Sequence, residues 1–267
     1  KDGSNIHANA WEKNPPKPPT PYHGTKVGWN KLCLTEEAPY EFFAKVMQET
    51  AEIFESPYIH VGGDEIKDTL YPHFIRYADS VIRSHGKIMI GWEEVLEANV
   101  DEKTIAQIWR RVGRSDGRRL ALNKKSPVIL SPCENFYLDH GNVEGQPGTM
   151  SWCAQDVTLG DIYNYQADPR IQLLGFEAPV WTEFVQTEAD LDDRYFPRLL
   201  AVSERTWSIT TKSTGQPMID PNAKEKAASQ EPVTTKVHRN FKNFQMRLKA
   251  HEMDMKSMGI EYYGSQK

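Results

Sequence analysis

The chain has 267 residues, 39% of them hydrophobic and 26% charged, which is long enough to bury a sizeable core and leads us to expect one large soluble domain. Mean hydropathy is negative and no long apolar run occurs, which argues against a membrane span. A formal net charge of −5 with both signs interspersed argues against a nucleic-acid partner, because such binders gather Lys and Arg into phosphate-neutralising patches.

Basic pairs such as Arg110-Arg111 and Arg118-Arg119 are expected to be solvated surface. Cys33, Cys133 and Cys153 allow at most one disulfide and include no Cys-x-x-Cys pair, the usual sign of zinc or redox work. The sequence opens on Lys1 with no Met and no charged-then-apolar leader, so we expect it to belong to a longer natural protein.

Residues 1–34 are rich in Pro, Asn and Gly, as in Asn14-Pro15-Pro16-Lys17-Pro18-Pro19, and predict an irregular loop. Thr35 then offers a helix cap, Glu36 and Glu37 suit the positive end of a helix dipole, and Phe42, Phe43, Val46, Met47, Thr50, Ile53 and Phe54 recur at helical spacing up to Ser56-Pro57. Five short apolar runs follow, at Tyr58–Gly62, Lys87–Trp92, Ile105–Trp109, Val128–Ser131 and Ile171–Phe176. The clearest helix between them covers about Thr69 to His85, with Phe74, Ile75, Ala78, Val81 and Ile82 on one face and Gly86 placed to stop it. Strands alternating with helices predict parallel pairing, hence an α/β sheet. Residues 35–210 form this repeating part. Residues 211–233, rich in Ser, Thr, Gly, Pro and Lys, predict a flexible surface segment. A terminal helix over 234–260 carries Val237, Phe241, Phe244 and Leu248 along one face.

Residues with chemical potential gather where the runs end: Asp64 and Glu65, then Trp92, Trp109, Tyr137 with Asp139, and Trp181 with Glu183. A (β/α)8 barrel of the TIM type places its site at the carboxyl ends of its strands. This distribution predicts that fold in incomplete form, with about five of eight strands present. Adjacent side chains on a regular strand face opposite ways, so Asp64 and Glu65 share a site only where the backbone breaks, as Gly62-Gly63 permits. Paired carboxylates keep one member protonated as a general acid. Sequence neighbours do not straddle a glycosidic bond, which needs carboxylates roughly 5 Å or more apart, so Asp64 is better cast as an orienting group. Taken alone, the pair serves equally well to cap the next helix. The aromatic residues at the other strand ends tip the balance, since indole and phenol rings stack on the C–H faces of sugars.

With these residues in view, Tyr58-Ile59-His60-Val61-Gly62-Gly63-Asp64-Glu65 resembles the catalytic motif of glycoside hydrolase family 20, the β-N-acetylhexosaminidases. Further segments resemble the family in order: Leu32-Cys33-Leu34-Thr35-Glu36-Glu37, Gly91-Trp92-Glu93-Glu94, Ile108-Trp109, Tyr137-Leu138-Asp139, Trp181-Thr182-Glu183 and Ala201-Val202-Ser203-Glu204-Arg205-Thr206-Trp207. The resemblance covers about residues 28 to 208. It implies exo-acting, retaining hydrolysis of terminal β-linked GlcNAc or GalNAc from glycans or chitooligosaccharides, through an oxazoline formed by the substrate's own acetamido group. Glu65 is implied as acid and base, Asp64 as holder of the acetamido N–H, and Tyr137 as donor to its oxygen. Trp92, Trp109 and Trp181 are implied as walls of the N-acetyl pocket, and Asp139 and Glu183 as ligands of sugar hydroxyls. No metal or cofactor is implied. The family setting is secreted, periplasmic or lysosomal.

The departures are also specific. Family members carry an Arg near the first barrel strand that grips the terminal sugar, and an Asp and a His on earlier loops. No position here matches them, and His7 and His23 lack the surrounding motif. We therefore expect the chain to correspond to the fourth barrel strand onward and to be weakly active or inactive alone. The alternative is a non-catalytic carbohydrate-binding or pseudo-enzyme fragment.

Overall fold

The computed structural model describes residues 32–111, 116–207 and 240–262. Most of the Pro-rich start, with His7 and His23, lies outside them, as do the 211–233 segment and Val237. Two compact units divide the chain, Lys1–Ala106 and Gln107–Lys267.

In the first unit, helix α1 (Ala38–Ile53) precedes strand β1 (Tyr58–His60), helix α2 (Tyr71–Ser84), strand β2 (Ile88–Trp92) and a short 3-10 helix (Glu93–Ala98). Strand β3 (Ile105–Ile108) crosses the boundary. The second unit continues with α3 (Gly117–Lys124), β4 (Pro127–Leu130), α4 (Cys133–Phe136), α5 (Leu159–Asn164), β5 (Gln172–Phe176), α6 (Glu188–Tyr195), α7 (Arg198–Trp207) and α8 (Phe241–Ser257). The five strands form one sheet in chain order. Strands β1 and β2 run parallel, Tyr58 opposite Ile88, and β4 and β5 run parallel, Pro127 opposite Gln172. Parallel neighbours joined through helices are the α/β arrangement of a (β/α)-barrel fold, with five strands among the described residues.

Burial explains why these short runs hold. Every residue of β3 is buried, which its unbroken apolar character at Ile105, Ala106 and Ile108 requires, while Gln107 satisfies its amide by donating from Nε2 to Ser131 Oγ at 2.8 Å. The first unit's core joins Ile59, Ile75, Ala78, Ile82, Met89 and Val95. Asp79, only 2% exposed, is held by Thr104 Oγ1 at 2.8 Å and Arg83 Nε at 3.1 Å. Helix α2 ends as expected, since Gly86 takes φ +71° and its N–H donates to Arg83 O.

Helix α1 departs from expectation at its start and in its inner face. It begins at Ala38, with Glu37 rather than Thr35 at the cap position and Pro39 in the first turn. Proline's fixed φ favours a first helical turn, so the helix starts there. Its packing stripe is Tyr40, Phe43, Met47 and Ala51, which meets α2 through ring pairs such as Tyr40–Tyr77 at 5.0 Å and Phe43–Phe74 at 5.2 Å. Phe42, Val46, Ile53 and Phe54 face outward instead. In the second unit α8 buries Phe244, Leu248 and Met255 against Phe136, Ile162 and Tyr163.

Candidate active site

In the first unit the chain leaves β1 through a turn built on left-handed backbone. Gly62 has φ +71°, Gly63 φ +94° and Glu65 φ +57°, so the regular strand ends before Asp64 and Glu65, and the alternation that would separate them is lost. Four contacts hold the turn. Val61 N donates to Ile90 O (2.9 Å), Trp92 N to Gly62 O (2.9 Å), Tyr71 Oη to Gly63 O (2.7 Å) and Glu65 N to Glu94 Oε1 (3.1 Å). A Cβ at Gly63 would meet Tyr71 Oη at 3.0 Å, and one at Gly91 would run into Val95. Both positions therefore admit only glycine at this closeness. Asp64 and Glu65 are exposed side by side, while Trp92, Glu93 and Glu94 are buried. The Trp92 indole meets the His60 ring edge-on at 5.4 Å.

In the second unit three of the expected rings converge. Trp109 lies parallel to Tyr137 at 6.5 Å, and Tyr137 reaches Trp181 at 6.0 Å. Trp152, which the sequence reading did not single out, completes the group at 5.9 Å from both Trp109 and Tyr137. Its only sequence signal is an aromatic residue in the loop triplet Ser151-Trp152-Cys153. The backbone brings these rings together: Cys133 N donates to Trp109 O and Leu138 N to Pro179 O, both at 2.8 Å. Glu183 sits half-buried two residues beyond Trp181.

Asp139 is 3% exposed, and among the described residues neither of its oxygens accepts a hydrogen bond. His140 Nδ1 stands 3.7 Å away. Buried carboxylates without partners are rare, and this one leaves acceptor capacity for hydroxyl groups. The segment bearing it is stapled by Arg198, which is fully buried and donates to the carbonyls of Leu138 (2.6 Å), Arg194 (2.8 Å), His140 (2.9 Å) and Val157 (3.0 Å). Burial holds this guanidinium below its usual pKa and Arg194 adds to the effect, while Asp193 and Asp139 oppose it. Arg198 is a positioning residue that sequence reasoning also missed.

A disulfide joins Cys133 to Cys153, and the buried Cys33 lies outside it, its sulfur 3.3 Å from Thr35 Oγ1. Cys133, Glu134 and Cys153 bring three metal-ligating atoms within 4.8 Å of one another. Sulfurs spent in a disulfide lack the thiolate charge that binds zinc, so this cluster is a cross-link. Arg110 is not freely solvated as expected: it is half-buried, with its guanidinium 5.1 Å over the Trp109 ring.

Parallel strands whose ends carry neighbouring carboxylates and clustered indole and phenol rings define an α/β domain of the glycoside-hydrolase class. Residues 7–73 and 68–210 match the family model described as the catalytic domain of glycosyl hydrolase family 20. The chain belongs to that family. It is 31% identical over 212 residues to a β-hexosaminidase of Porphyromonas gingivalis, covering 67% of this chain and 26% of that protein. It is 29% identical over 201 residues to a β-N-acetylhexosaminidase of Cellulomonas fimi, covering 72% and 40%. Among solved structures it is similar to the family 20 β-N-acetylhexosaminidase of Streptomyces coelicolor A3(2), with TM-score 0.76, 26% identity and coverage of 92% of this chain and 47% of that one. A mutant Streptomyces plicatus β-hexosaminidase in complex with its product GlcNAc gives the same four values. The chain thus spans less than half the length of these relatives.

Proposed function

We propose that this chain is the catalytic part of an exo-acting, retaining β-N-acetylhexosaminidase that releases terminal GlcNAc or GalNAc by substrate-assisted catalysis. The carrying observation is the left-handed turn at Gly62-Gly63-Asp64-Glu65, which places two adjacent carboxylates at a strand's carboxyl end in a chain that belongs to family 20. In this reading Glu65 gives its proton to the leaving oxygen as the glycosidic bond breaks, and the acetamido oxygen bonds to the anomeric carbon. Asp64 accepts the acetamido N–H, which favours the positive oxazolinium that forms. Glu65, now ionised, takes a proton from water as that water attacks the anomeric carbon and opens the ring. Configuration is retained after two displacements. Tyr137 donates to the acetamido oxygen, Trp92, Trp109 and Trp181 enclose the methyl group, and Asp139 and Glu183 accept from sugar hydroxyls. The ring cluster around Tyr137 and the open acceptor capacity of Asp139 support these assignments.

The test is hydrolysis of a chromogenic N-acetyl-β-glucosaminide by this chain and by the same chain extended upstream in its gene, each beside Glu65→Gln and Asp64→Asn. We expect turnover in the extended form, lost by about 10²-fold or more in Glu65→Gln. An extended form that binds the sugar without hydrolysing it would replace the enzyme reading with a carbohydrate-binding one.

A further inference from the structure

Beside Asp139 lies a second polar side chain that the proposed reaction does not use. His140 is fully buried, and its Nδ1, like both oxygens of Asp139, makes no hydrogen bond among the described residues. The two groups face each other, Nδ1 to Asp139 Oδ2, at 3.7 Å. Buried polar atoms left without partners are rare and costly, so a facing pair of them calls for a physical reason.

The other ring nitrogen shows which atom carries the proton. Cys153 N–H donates to His140 Nε2 at 3.4 Å, and a nitrogen that accepts carries no proton, so the ring's single proton sits on Nδ1, on the side of Asp139. The ring is hemmed in. Trp152 stands 5.7 Å from it and Tyr137 6.5 Å, the disulfide to Cys133 ties down the residue that donates to Nε2, and Arg198 holds the His140 carbonyl at 2.9 Å. Asp139 is anchored through its main chain, whose carbonyl accepts from Met150 N at 3.0 Å. Its carboxyl torsion is soft, so a shift of less than about 1 Å brings Oδ2 within hydrogen-bond range of Nδ1.

We propose that His140 is a positioning residue for Asp139. Its Nδ1–H donates to Oδ2 as Asp139 takes up the sugar, which turns Oδ1 toward a sugar hydroxyl. A carboxylate has roughly four acceptor directions, so one bond from His140 leaves capacity for the substrate, and a charge-assisted bond fixes the plane of the group more firmly than packing alone. The proposal rests on the reading of Asp139 as a ligand of sugar hydroxyls and adds the residue that aims it.

The experiment titrates the whole chain with N-acetylglucosamine, followed by NMR, in the parent, His140→Asn, His140→Gln, Asp139→Ala and Asp139→Ala combined with His140→Gln. Asn keeps a donor where Nδ1 lies and Gln keeps an acceptor where Nε2 lies, so the two variants separate the bond to Asp139 from the bond to Cys153. His140→Gln should bind the sugar about tenfold more weakly, and His140→Asn should recover most of that loss, to within about threefold of the parent. The double variant should bind no more weakly than Asp139→Ala, since His140 acts through that carboxylate. No loss in His140→Gln, equal losses in His140→Asn and His140→Gln, or losses that add in the double variant would overturn the proposal and leave His140 a packing residue. In the same samples the histidine nitrogen resonances should show the proton on Nδ1 and a shift of that nitrogen in Asp139→Ala. If N-acetylglucosamine binds to no form, the sugar-site reading fails while these resonances still decide the pairing: a proton on Nε2, or an Nδ1 signal indifferent to Asp139→Ala, overturns it.

Discussion

Replacing Arg198 with Met tests whether one buried cation positions the Tyr137–Asp139 segment. The side chain is fully buried and donates four bonds of 3.0 Å or less to main-chain carbonyls of Leu138, His140, Val157 and Arg194. Met fills similar length but donates nothing, so four buried acceptors lose their partner, at about 1–3 kcal/mol each if none is rescued. Two effects reduce that sum. Removing the cation recovers its desolvation cost, and water reaches part of the loop. The measured cost of breaking a buried charge network, about 3–5 kcal/mol, is the better guide. At about 2–4 °C per kcal/mol for a domain of this size, the unfolding temperature should fall by about 6–20 °C. Near-ultraviolet circular dichroism is the assay of choice, because the asymmetric packing of Trp109, Tyr137, Trp152 and Trp181 generates the signal. Arg198→Lys keeps the charge but its single nitrogen cannot reach carbonyls on both sides, so it should fall between. A shift within 1 °C for Arg198→Met, with the aromatic band intact, would refute the reasoning.

Two further substitutions probe other parts of the second unit. The Cys133–Cys153 cross-link closes a loop with sequence separation 20, for which chain entropy gives about 3 kcal/mol; the double Cys→Ser variant should melt about 6–12 °C lower, reductant should reproduce the shift in the parent, and no reductant effect in the parent would sink the idea. Arg247 holds the Glu204 carboxyl below its usual value through paired 2.6 Å contacts between α8 and α7, so this contribution is present above the ordinary carboxylate pKa of 4.5 and is lost as pH falls through the lowered one. Thermal scans from pH 6 downward should show an acid-side loss in the parent that Glu204→Gln lacks, and parallel curves would contradict it.

Apolar runs made the sheet legible. All five expected strands lie within a residue or two of their runs, because short stretches rich in β-branched and other apolar side chains have few other ways to bury themselves. The helical period of α1 was equally visible, but not which face packs. Tyr40 and Phe43 point to α2 while Phe42 and Ile53 do not, and a repeat near 3.6 tells nothing of what lies opposite. The helices between Trp109 and Trp207 are short, as with Gly117–Lys124, and none was singled out, whereas a terminal helix was expected over 234–260. The positions of the candidate site residues were legible where they follow a strand directly. Trp152 and Arg198 were not, since one lies in a loop without periodicity and the other acts through carbonyls that, apart from that of Arg194, lie 41 to 60 positions away. Such pairings arise only in the folded chain.

The backbone itself separates Glu65 from the rest of the described residues. Three non-glycine residues among them have positive φ: Glu65, Asn99 and Lys125. Asn99 is the C-cap of the 3-10 helix and Lys125 that of α3, positions where left-handed backbone satisfies the last carbonyls of a helix and is ordinary. Glu65 caps no helix. A left-handed L-residue costs about 1–2 kcal/mol, and in this turn the cost is offset by the bond from its N–H to Glu94 Oε1, by Tyr71 on Gly63 O and by packing of Val95 and Ile75 close to Gly63. Unrelieved by any capping role, such strain persists only where surrounding contacts impose it, and it clusters at functional positions. The two-carboxylate pair can serve helix capping or chemistry on sequence grounds alone. The next helix begins at Tyr71 with Leu70 as its cap residue, five positions beyond Glu65, so neither carboxylate sits at its cap position.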